Sequence, residues 1–470
     1  MHGLARRVAR NTAAQAAGKL AVLAIGAASI AVTTRYLGAA GYGSFALALA
    51  LVQMIGVLAD AGLTAVVVRE ISQSPRRTAE LVGNALTVRL ALGLAVVAAA
   101  ALLALVLPYS PDVRRAVLIA GVPFLLGLVT ASVAAVFQAR LQMWRAAAAD
   151  VAGRLAAFIA LVVVVTADLG FLAVVASTAV GALVALAVSV ALVRGLASIG
   201  PRADRLVWRE LLVAGVPIGV TLAVNEVYFR ADIFILSLFR PFEEVGLYTF
   251  AYRVYELLAL FPAIVMTSIF PLLSRFIVPR RDAAARIIDA SADVFVAVGV
   301  PIAAGGIVLA PELARLVAGD DFVAAATPLR LLLCASLPAW ISGLLGYALI
   351  AAGHQVSVLR LSVAALAINL ALNLALVPSY GPNAAAAVAL GCEAFLVAGG
   401  WLLVRRQLGL APRLALLWRA LPAAGVMAAV LWWQRDLSLA ILVPGGAALY
   451  FAALAAMGGV DRRTMEALRA

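Results

Sequence analysis

Charge is scarce in this sequence. Asp, Glu, Lys and Arg make up 13% of the 470 residues, and 65% are hydrophobic. Soluble domains carry about 25% charged and roughly 45–50% apolar residues, so this chain lacks the polar groups to cover a soluble core. A soluble enzyme, a disordered tail protein and a secreted disulfide scaffold are all excluded. Histidine is nearly missing: His2 stands at the terminus and His354 at the edge of an expected loop, which leaves no histidine-based catalysis or metal site. The two cysteines, Cys334 and Cys392, fall inside apolar runs and read as small core residues rather than a disulfide or metal pair. Gly18-Lys19 has neither the upstream glycine nor the following Ser/Thr of a Walker A loop, so no ATPase is expected, and no cofactor. The longest expected loops, 194–210 and 272–286, are too short for a separate soluble domain. They also lack the size of the outer loop that membrane polymerases and ligases of polysaccharides display, which opposes a membrane enzyme.

Long apolar runs are what the chain has instead, with a mean hydropathy of +1.08. A bilayer core about 30 Å thick needs about 20 apolar residues as helix. Apolar runs between charged or Pro/Gly breaks predict fourteen spans, at 12–36, 42–67, 84–107, 115–138, 146–167, 170–193, 211–238, 245–271, 287–309, 325–350, 355–377, 383–404, 414–433 and 437–458. Helix breakers such as Pro108-Tyr-Ser-Pro111, Gly200-Pro201, Arg240-Pro241 and Gly381-Pro382 separate them. The first run follows Arg6, Arg7 and Arg10 as in a signal peptide, but it is too long for a signal core and many spans follow. The expected fold is an all-α polytopic membrane protein.

The formal net charge is +13, which in a soluble protein would point to nucleic acid. Topology explains it without that partner. With the N-terminus inside, the outer side carries Arg35, Arg114, Arg115, Arg240, Arg315, Arg330 and Arg435. The inner side, with Arg89 counted at a helix end, carries roughly four times as many arginines, the positive-inside pattern. An even number of spans puts both termini in the cytoplasm. Lys19, Arg230 and Arg253 are left over and fall inside the membrane.

A charge at the bilayer centre costs about 2.5–3.5 kcal/mol on insertion scales. The seventh span nevertheless holds Asn225, Glu226, Tyr228, Arg230 and Asp232, and the eighth holds Tyr252, Arg253, Tyr255 and Glu256. At 1.5 Å per residue, Glu226 lies near mid-membrane with Arg230 about 6–8 Å further outward, and Glu256 and Arg253 reach similar depths on the returning helix. Glu226 and Arg230 are i,i+4, and Arg253 and Glu256 are i,i+3, so each pair shares a helix face. Either these charges form an ion-pair knot locking two helices, or they line an anion-contacting cavity. The planar fork of Arg suits a diphosphate. In the first half, Lys19 and Asp60 lie level on the first two helices and could pair; alternatively Lys19 snorkels to the interface. Asn369, Asn373 and Glu393 read as interhelical hydrogen-bonding groups.

Arg35, Gly41, Phe45 and Ala46 recur as Arg240, Gly246, Phe250 and Ala251 at one constant offset, each set straddling the loop after the first helix of a half. That is the pattern of two parallel six-helix repeats. The segments Arg35-Tyr-Leu-Gly38, Gly41-Tyr-Gly43-Ser-Phe45-Ala46, Asp60-Ala-Gly62-Leu63 and Arg69-Glu70 resemble the start of bacterial polysaccharide-export flippases. So do Asp232, Val245-Gly246-Leu-Tyr248-Thr-Phe-Ala251, Phe270-Pro271-Leu-Leu-Ser274 and Asn369-Leu-Ala-Leu-Asn373 through Pro378 to Gly381. Over roughly 30–405 the chain resembles the Wzx-like flippases of O-antigen and other lipid-linked oligosaccharides, in the multidrug/oligosaccharidyl-lipid/polysaccharide (MOP) exporter superfamily. It departs from the family at Pro382, where a second glycine often stands.

The resemblance implies two six-helix lobes (1–195 and 196–405) in a V around a central cavity, followed by two extra helices and a cytoplasmic tail (406–470). It implies an undecaprenyl-diphosphate-linked oligosaccharide as substrate, translocated across the bacterial cytoplasmic membrane by a protein that is not an enzyme. Arg230, Arg253 and Lys19 would then hold the diphosphate, and Tyr228, Tyr252, Tyr255 and Asn225 would meet sugar. Asp60, Glu226, Asp232 and Glu256 would pair or couple, with H+ or Na+ as candidate ions. A polymerase and glycosyltransferases are the expected protein partners. The competing reading is a cation-coupled drug antiporter of the same superfamily; the first span holds no acid, which counts against it.

Overall fold

The computed structural model describes residues 2–196, 199–410 and 412–459, with side chains described at Gly18 and from Ala21 onward. The side chains of His2, Arg6, Arg7, Arg10 and Lys19, and the tail arginines Arg462, Arg463 and Arg469, lie outside the described residues.

The elements are α1 (His2–Asp60), α2 (Leu63–Gln73), α3 (Thr78–Val106), α4 (Pro111–Ala139), α5 (Met143–Thr166), α6 (Phe171–Val193), α7 (Arg205–Phe239), α8 (Phe242–Leu258), α9 (Leu260–Phe276), α10 (Arg281–Ala318), α11 (Ala326–Ala351), α12 (Gln355–Leu403), α13 (Leu417–Trp433) and α14 (Leu439–Ala456). There is no strand among the described residues. Among them, 11 helical stretches are long and apolar enough to cross a membrane, and α13 is a shorter apolar helix. Large apolar side chains such as Leu94, Leu102 and Leu105 on α3 face outward. Outward leucine is favourable against lipid tails and unfavourable against water. This is an all-α polytopic membrane protein.

The breakers act where the sequence places them. Ser110 caps α4, its hydroxyl accepting from Val113 N, and Pro111 takes the first helical position, where its missing N–H is not needed. Two expected loops are kinks instead. The first span and most of the second lie within α1, divided at Gly38 (φ 64°), the second running past the Ala61–Gly62 break into α2, and the eleventh and twelfth lie in α12, divided at Gly381 (φ 58°). The expected eighth span, 245–271, is divided between α8 and α9 at Ala259. Among the described residues there are eleven long apolar stretches, two of them divided by the Gly38 and Gly381 kinks, besides the shorter α13.

The chain forms two compact units, Met1–Phe234 and Ile235–Ala470. The boundary falls inside α7, later than the expected 195/196, because the first part of α7 is built into the first unit. Val207 and Leu211 join the core formed by α2, α3 and α4. Further along, α7 crosses the Ala61–Gly62 break between α1 and α2 backbone to backbone. A Cβ on Gly62 (φ 72°) would sit 2.4 Å from Gly215 O, and one on Gly219 would sit 2.7 Å from the Ala61 carbonyl carbon. The Gly215-Val-Pro-Ile-Gly219 spacing provides the small-residue surface such an approach needs. In the second unit, α10 and α11 enclose a core with Phe295, Trp340 and Leu344. The α13–α14 pair packs on α10 through Ala420, Ala424, Met427 and Tyr450.

The repeated sequence motif has a structural counterpart. In the first unit, Tyr36 Oη donates to Asp168 Oδ1 (2.7 Å) and accepts from Gly170 N (2.9 Å), tying the Gly38 kink to the α5–α6 loop. In the second, Arg240 Nη1 donates to Pro378 O (3.2 Å) and pairs with Glu244 (2.7 Å), beside the Gly381 kink. Each half thus fastens the segment after its first helix to its fifth-to-sixth connection. The hydrogen bonds that Arg240 donates to the Glu244 carboxylate raise its pKa above its ordinary value.

Gly219→Ala should lower stability by about 1–3 kcal/mol through overpacking, read as a lower thermal midpoint in detergent. Gly391→Ala, where an added Cβ meets nothing within 4 Å, should not lower it. Equal midpoints for the two variants would contradict the close crossing.

Candidate functional site

The polar groups inside the helices fall into several clusters, each within one unit. In the first unit α7 carries Glu226 and Arg230 one turn apart. Arg230 Nε donates to Glu226 Oε1 at 2.6 Å, which leaves the Nη fork of the guanidinium for a ligand. Both side chains are partly exposed, 15% for Arg230 and 32% for Glu226, so the pair is reachable rather than sealed. Asn225 is exposed beside it, and Tyr228 is half-buried with its ring edge-on to Phe229 at 5.4 Å. Asp232, two residues past Arg230, is buried.

The second unit repeats the arrangement on α8. Arg253 Nη1 donates to Glu256 Oε2 at 2.6 Å, and both side chains are about 30% exposed. Tyr252 and Tyr255 are buried, and the rings of Tyr248, Tyr252 and Tyr255 meet in succession at tilted angles, with centroid distances of 5.8 and 5.6 Å. Their rings are engaged with one another, and of the three tyrosines considered for sugar stacking Tyr228 is the least buried. On α11 and α12, Ser342 Oγ donates to Glu393 Oε2 at 3.2 Å, and Asn373 Nδ2 donates to Asn369 O at 2.9 Å.

Asp60 does not wait for Lys19. Its partner is Arg89, at 2.5 Å, and the Lys19 side chain lies outside the described residues. Arg89, expected at an inner helix end, is fully buried. It stands about 16 Å along α3 from Thr78 at 1.5 Å per residue. Its Nη2 donates to Asp60 Oδ1 and to Thr64 Oγ1 (2.6 Å), and its Nη1 donates to Ser132 Oγ (2.8 Å). The Thr64 hydroxyl donates onward to Asp60 Oδ1 (2.8 Å) and that of Ser132 to Leu128 O (3.0 Å). One guanidinium thus binds α1, α2 and α4 together, directly beside the Ala61–Gly62 break. Span placement hides it: a third span starting at 84 leaves Arg89 near the end of a helix that in fact begins at Thr78. The signal that could find it is the position of Arg89 about three turns into a helix that starts at Thr78.

No group of three or more His, Cys, Asp or Glu among the described residues could hold a metal ion. What the arrangement offers is two partly open Glu–Arg pairs and one closed Arg–Asp network. The open pairs can exchange a carboxylate for another oxyanion. The closed one cannot without leaving a buried charge.

The profile of a family described as polysaccharide biosynthesis protein matches residues 8–277. Among solved structures, the chain is similar to the lipid II flippase MurJ in an inward closed conformation, with TM-score 0.76 and 13% identity over 93% of this chain and 97% of that one. It is also similar to an inward-facing multidrug resistance MATE family transporter of the MOP superfamily (TM-score 0.66, 13% identity, 85% and 98%). A third similar structure is a MOP superfamily transporter from Pyrococcus furiosus (TM-score 0.61, 14% identity, 86% and 95%). No curated protein matches by sequence. At such identities the likeness establishes the fold.

Removing one partner of a buried ion pair costs about 3–5 kcal/mol. Asp60→Ala should therefore lower the thermal midpoint strongly, and Asp60→Ala combined with Arg89→Leu should regain most of the loss. A double variant no better than Asp60→Ala would show that the pairing is not what stabilises this region.

Proposed function

Because this chain belongs to the polysaccharide biosynthesis protein family and has the fold of MOP-superfamily transporters, we propose that it is a flippase for an undecaprenyl-diphosphate-linked oligosaccharide. The observation that carries this reading is the pair of membrane-embedded arginines, Arg230 and Arg253, each held by a glutamate one turn away and each still partly exposed. A diphosphate arriving at such a guanidinium replaces a carboxylate oxyanion with a phosphate oxyanion. The glutamate displaced in this exchange takes up a proton or turns to water, because its own carboxylate would otherwise be the bare charge left in hydrocarbon. Sugar would be met by Asn225 and the half-buried Tyr228. The polyprenyl tail would remain in the lipid. Two states of similar energy exposing the site to either side in turn would complete the cycle.

The proposed setting is the bacterial cytoplasmic membrane with both termini inside, next to the glycosyltransferases that build the cargo and a polymerase that consumes it. Lys19 is a further candidate contact for the diphosphate. Glu226, Asp232 and Glu256 are candidates for proton or sodium coupling. Asp60 is a weaker one, because Arg89 already holds it. A drug antiporter, the second reading, would favour acids without competing arginines; Glu226 and Glu256 each face an arginine within the same helix, which disfavours a cationic cargo.

A hydrogen bond to a charged group contributes about 1.5–3 kcal/mol, roughly tenfold or more in an equilibrium. Arg230→Ala and Arg253→Ala should each lower surface-glycan export at least tenfold while the protein still inserts, as measured by immunodetection of glycan and of membrane-bound protein. Full export by both single variants would refute the anion-contact role. A deletion strain should accumulate lipid-linked glycan on the inner leaflet; normal surface glycan without accumulation would refute the flippase reading.

A further inference from the structure

At one end of the second unit, α9 stops, α10 starts and α12 stops. The α9–α10 turn brings Arg275, Arg280, Arg281 and Arg286, all exposed. A π-helical turn, Val404–Leu408, follows α12 and brings Arg405 and Arg406, also exposed. One buried cluster holds these stretches together, because Leu273, Ile277, Ala284 and Ile288 share it with Val404, Leu408 and Leu410. Arg281 Nη1 lies 3.5 Å from where a Cβ on Gly409 would stand. The π turn itself is pinned by Gln407 Nε2 donating to Ser357 Oγ at 2.9 Å. Its wider winding lets Val404 and Leu408 both face the core while the residues between them stay outside.

Six guanidinium groups therefore share one surface. None of them makes an ion pair among the described residues. The two nearby acids do not compensate them: Asp289 accepts from Arg413 N at 2.9 Å, and Asp282 is a single charge. In the first unit, by contrast, Arg69, Arg77 and Arg154 are each paired with a neighbouring carboxylate, and Arg194, Arg202, Arg205 and Arg209 follow one another along the α6–α7 connection and the first turns of α7. Orientation bias accounts for how many arginines lie on a face, not for six of them converging around one core.

The surroundings suit a lipid more than a free anion. Arg275 lies over Phe276 (5.4 Å) and Arg405 over Trp401 (5.5 Å), aromatics of the kind that settle at the headgroup level. Leu272, Val278 and Leu402 are exposed next to the arginines, where acyl chains would lie. We propose that this end of the second unit is a binding site for the headgroup phosphates of anionic phospholipids. Clusters of four to eight arginines at span ends have this chemistry. The inference rests on the helices spanning a membrane and holds whatever the transported cargo is.

The test uses the full-length protein in nanodiscs containing a photoactivatable phosphatidylglycerol. The expected result is adducts concentrated in 272–290 and 401–410. Adducts spread evenly over both units, or lost on adding a polyprenyl diphosphate, would overturn the proposal. In native mass spectrometry, a variant with Arg280→Gln, Arg281→Gln, Arg405→Gln and Arg406→Gln should retain phosphatidylglycerol roughly a hundredfold less well. A charge-matched variant with Arg194→Gln, Arg202→Gln, Arg205→Gln and Arg209→Gln should retain it like the parent protein. Equal losses in both would reduce the site to general charge and overturn the assignment. If the first variant does not fold, the adduct map of the parent protein decides alone.

Discussion

A guanidinium or carboxylate carried into hydrocarbon has to be neutralised where it sits, because the cost of leaving it bare is about 2.5–3.5 kcal/mol even on insertion scales. This constraint organises the interior of the protein. Arg89 meets it by closure: a carboxylate and two hydroxyls, drawn from three helices, surround a side chain with no exposed surface. Arg230 and Arg253 each pair with a glutamate on their own helix, and stay partly exposed. The first solution fastens helices, and the second preserves an exchangeable anion position. Chemistry of the same kind gives a structural joint in one place and a candidate cargo contact in the other.

The closed joint stands beside a close backbone approach in the first unit. Asp60 immediately precedes the Ala61–Gly62 break, and α7 lies against that break through Gly215 and Gly219. Pro217 lies between those two glycines. Side-chain polarity and backbone proximity are concentrated on one turn of chain, so α7 is anchored there while its later residues carry Asn225, Glu226 and Arg230. A cargo contact needs a firm support close by, and the anchored part of α7 is such a support.

Much of this architecture is legible in the amino-acid sequence. The spacing of Glu226 to Arg230 and of Arg253 to Glu256 specifies two intrahelical pairs, and both are present. Span positions follow from apolar runs and breakers because a helix in lipid has few other options. The kinks at Gly38 and Gly381 do not, since a glycine marks a position where the backbone can leave the helix without saying whether it does. Arg89 escapes for a related reason. A cation near the edge of an apolar run looks like an orientation signal until its partners are known, and those partners, Asp60, Thr64 and Ser132, are distant in sequence. The burial of Tyr248, Tyr252 and Tyr255 against one another is equally hidden, because spacing gives a shared helix region and not what covers it.

The central claim is that a diphosphate-linked cargo crosses by exchanging with a glutamate on an intramembrane arginine. The direct measurement is transbilayer movement in proteoliposomes holding purified protein and a fluorescent polyprenyl-diphosphate oligosaccharide, followed by quenching from outside. The account predicts that the protein speeds equilibration between leaflets, that Arg230→Ala abolishes this, and that inorganic pyrophosphate slows it. Movement no faster than in protein-free liposomes, or unaffected by Arg230→Ala, would contradict it.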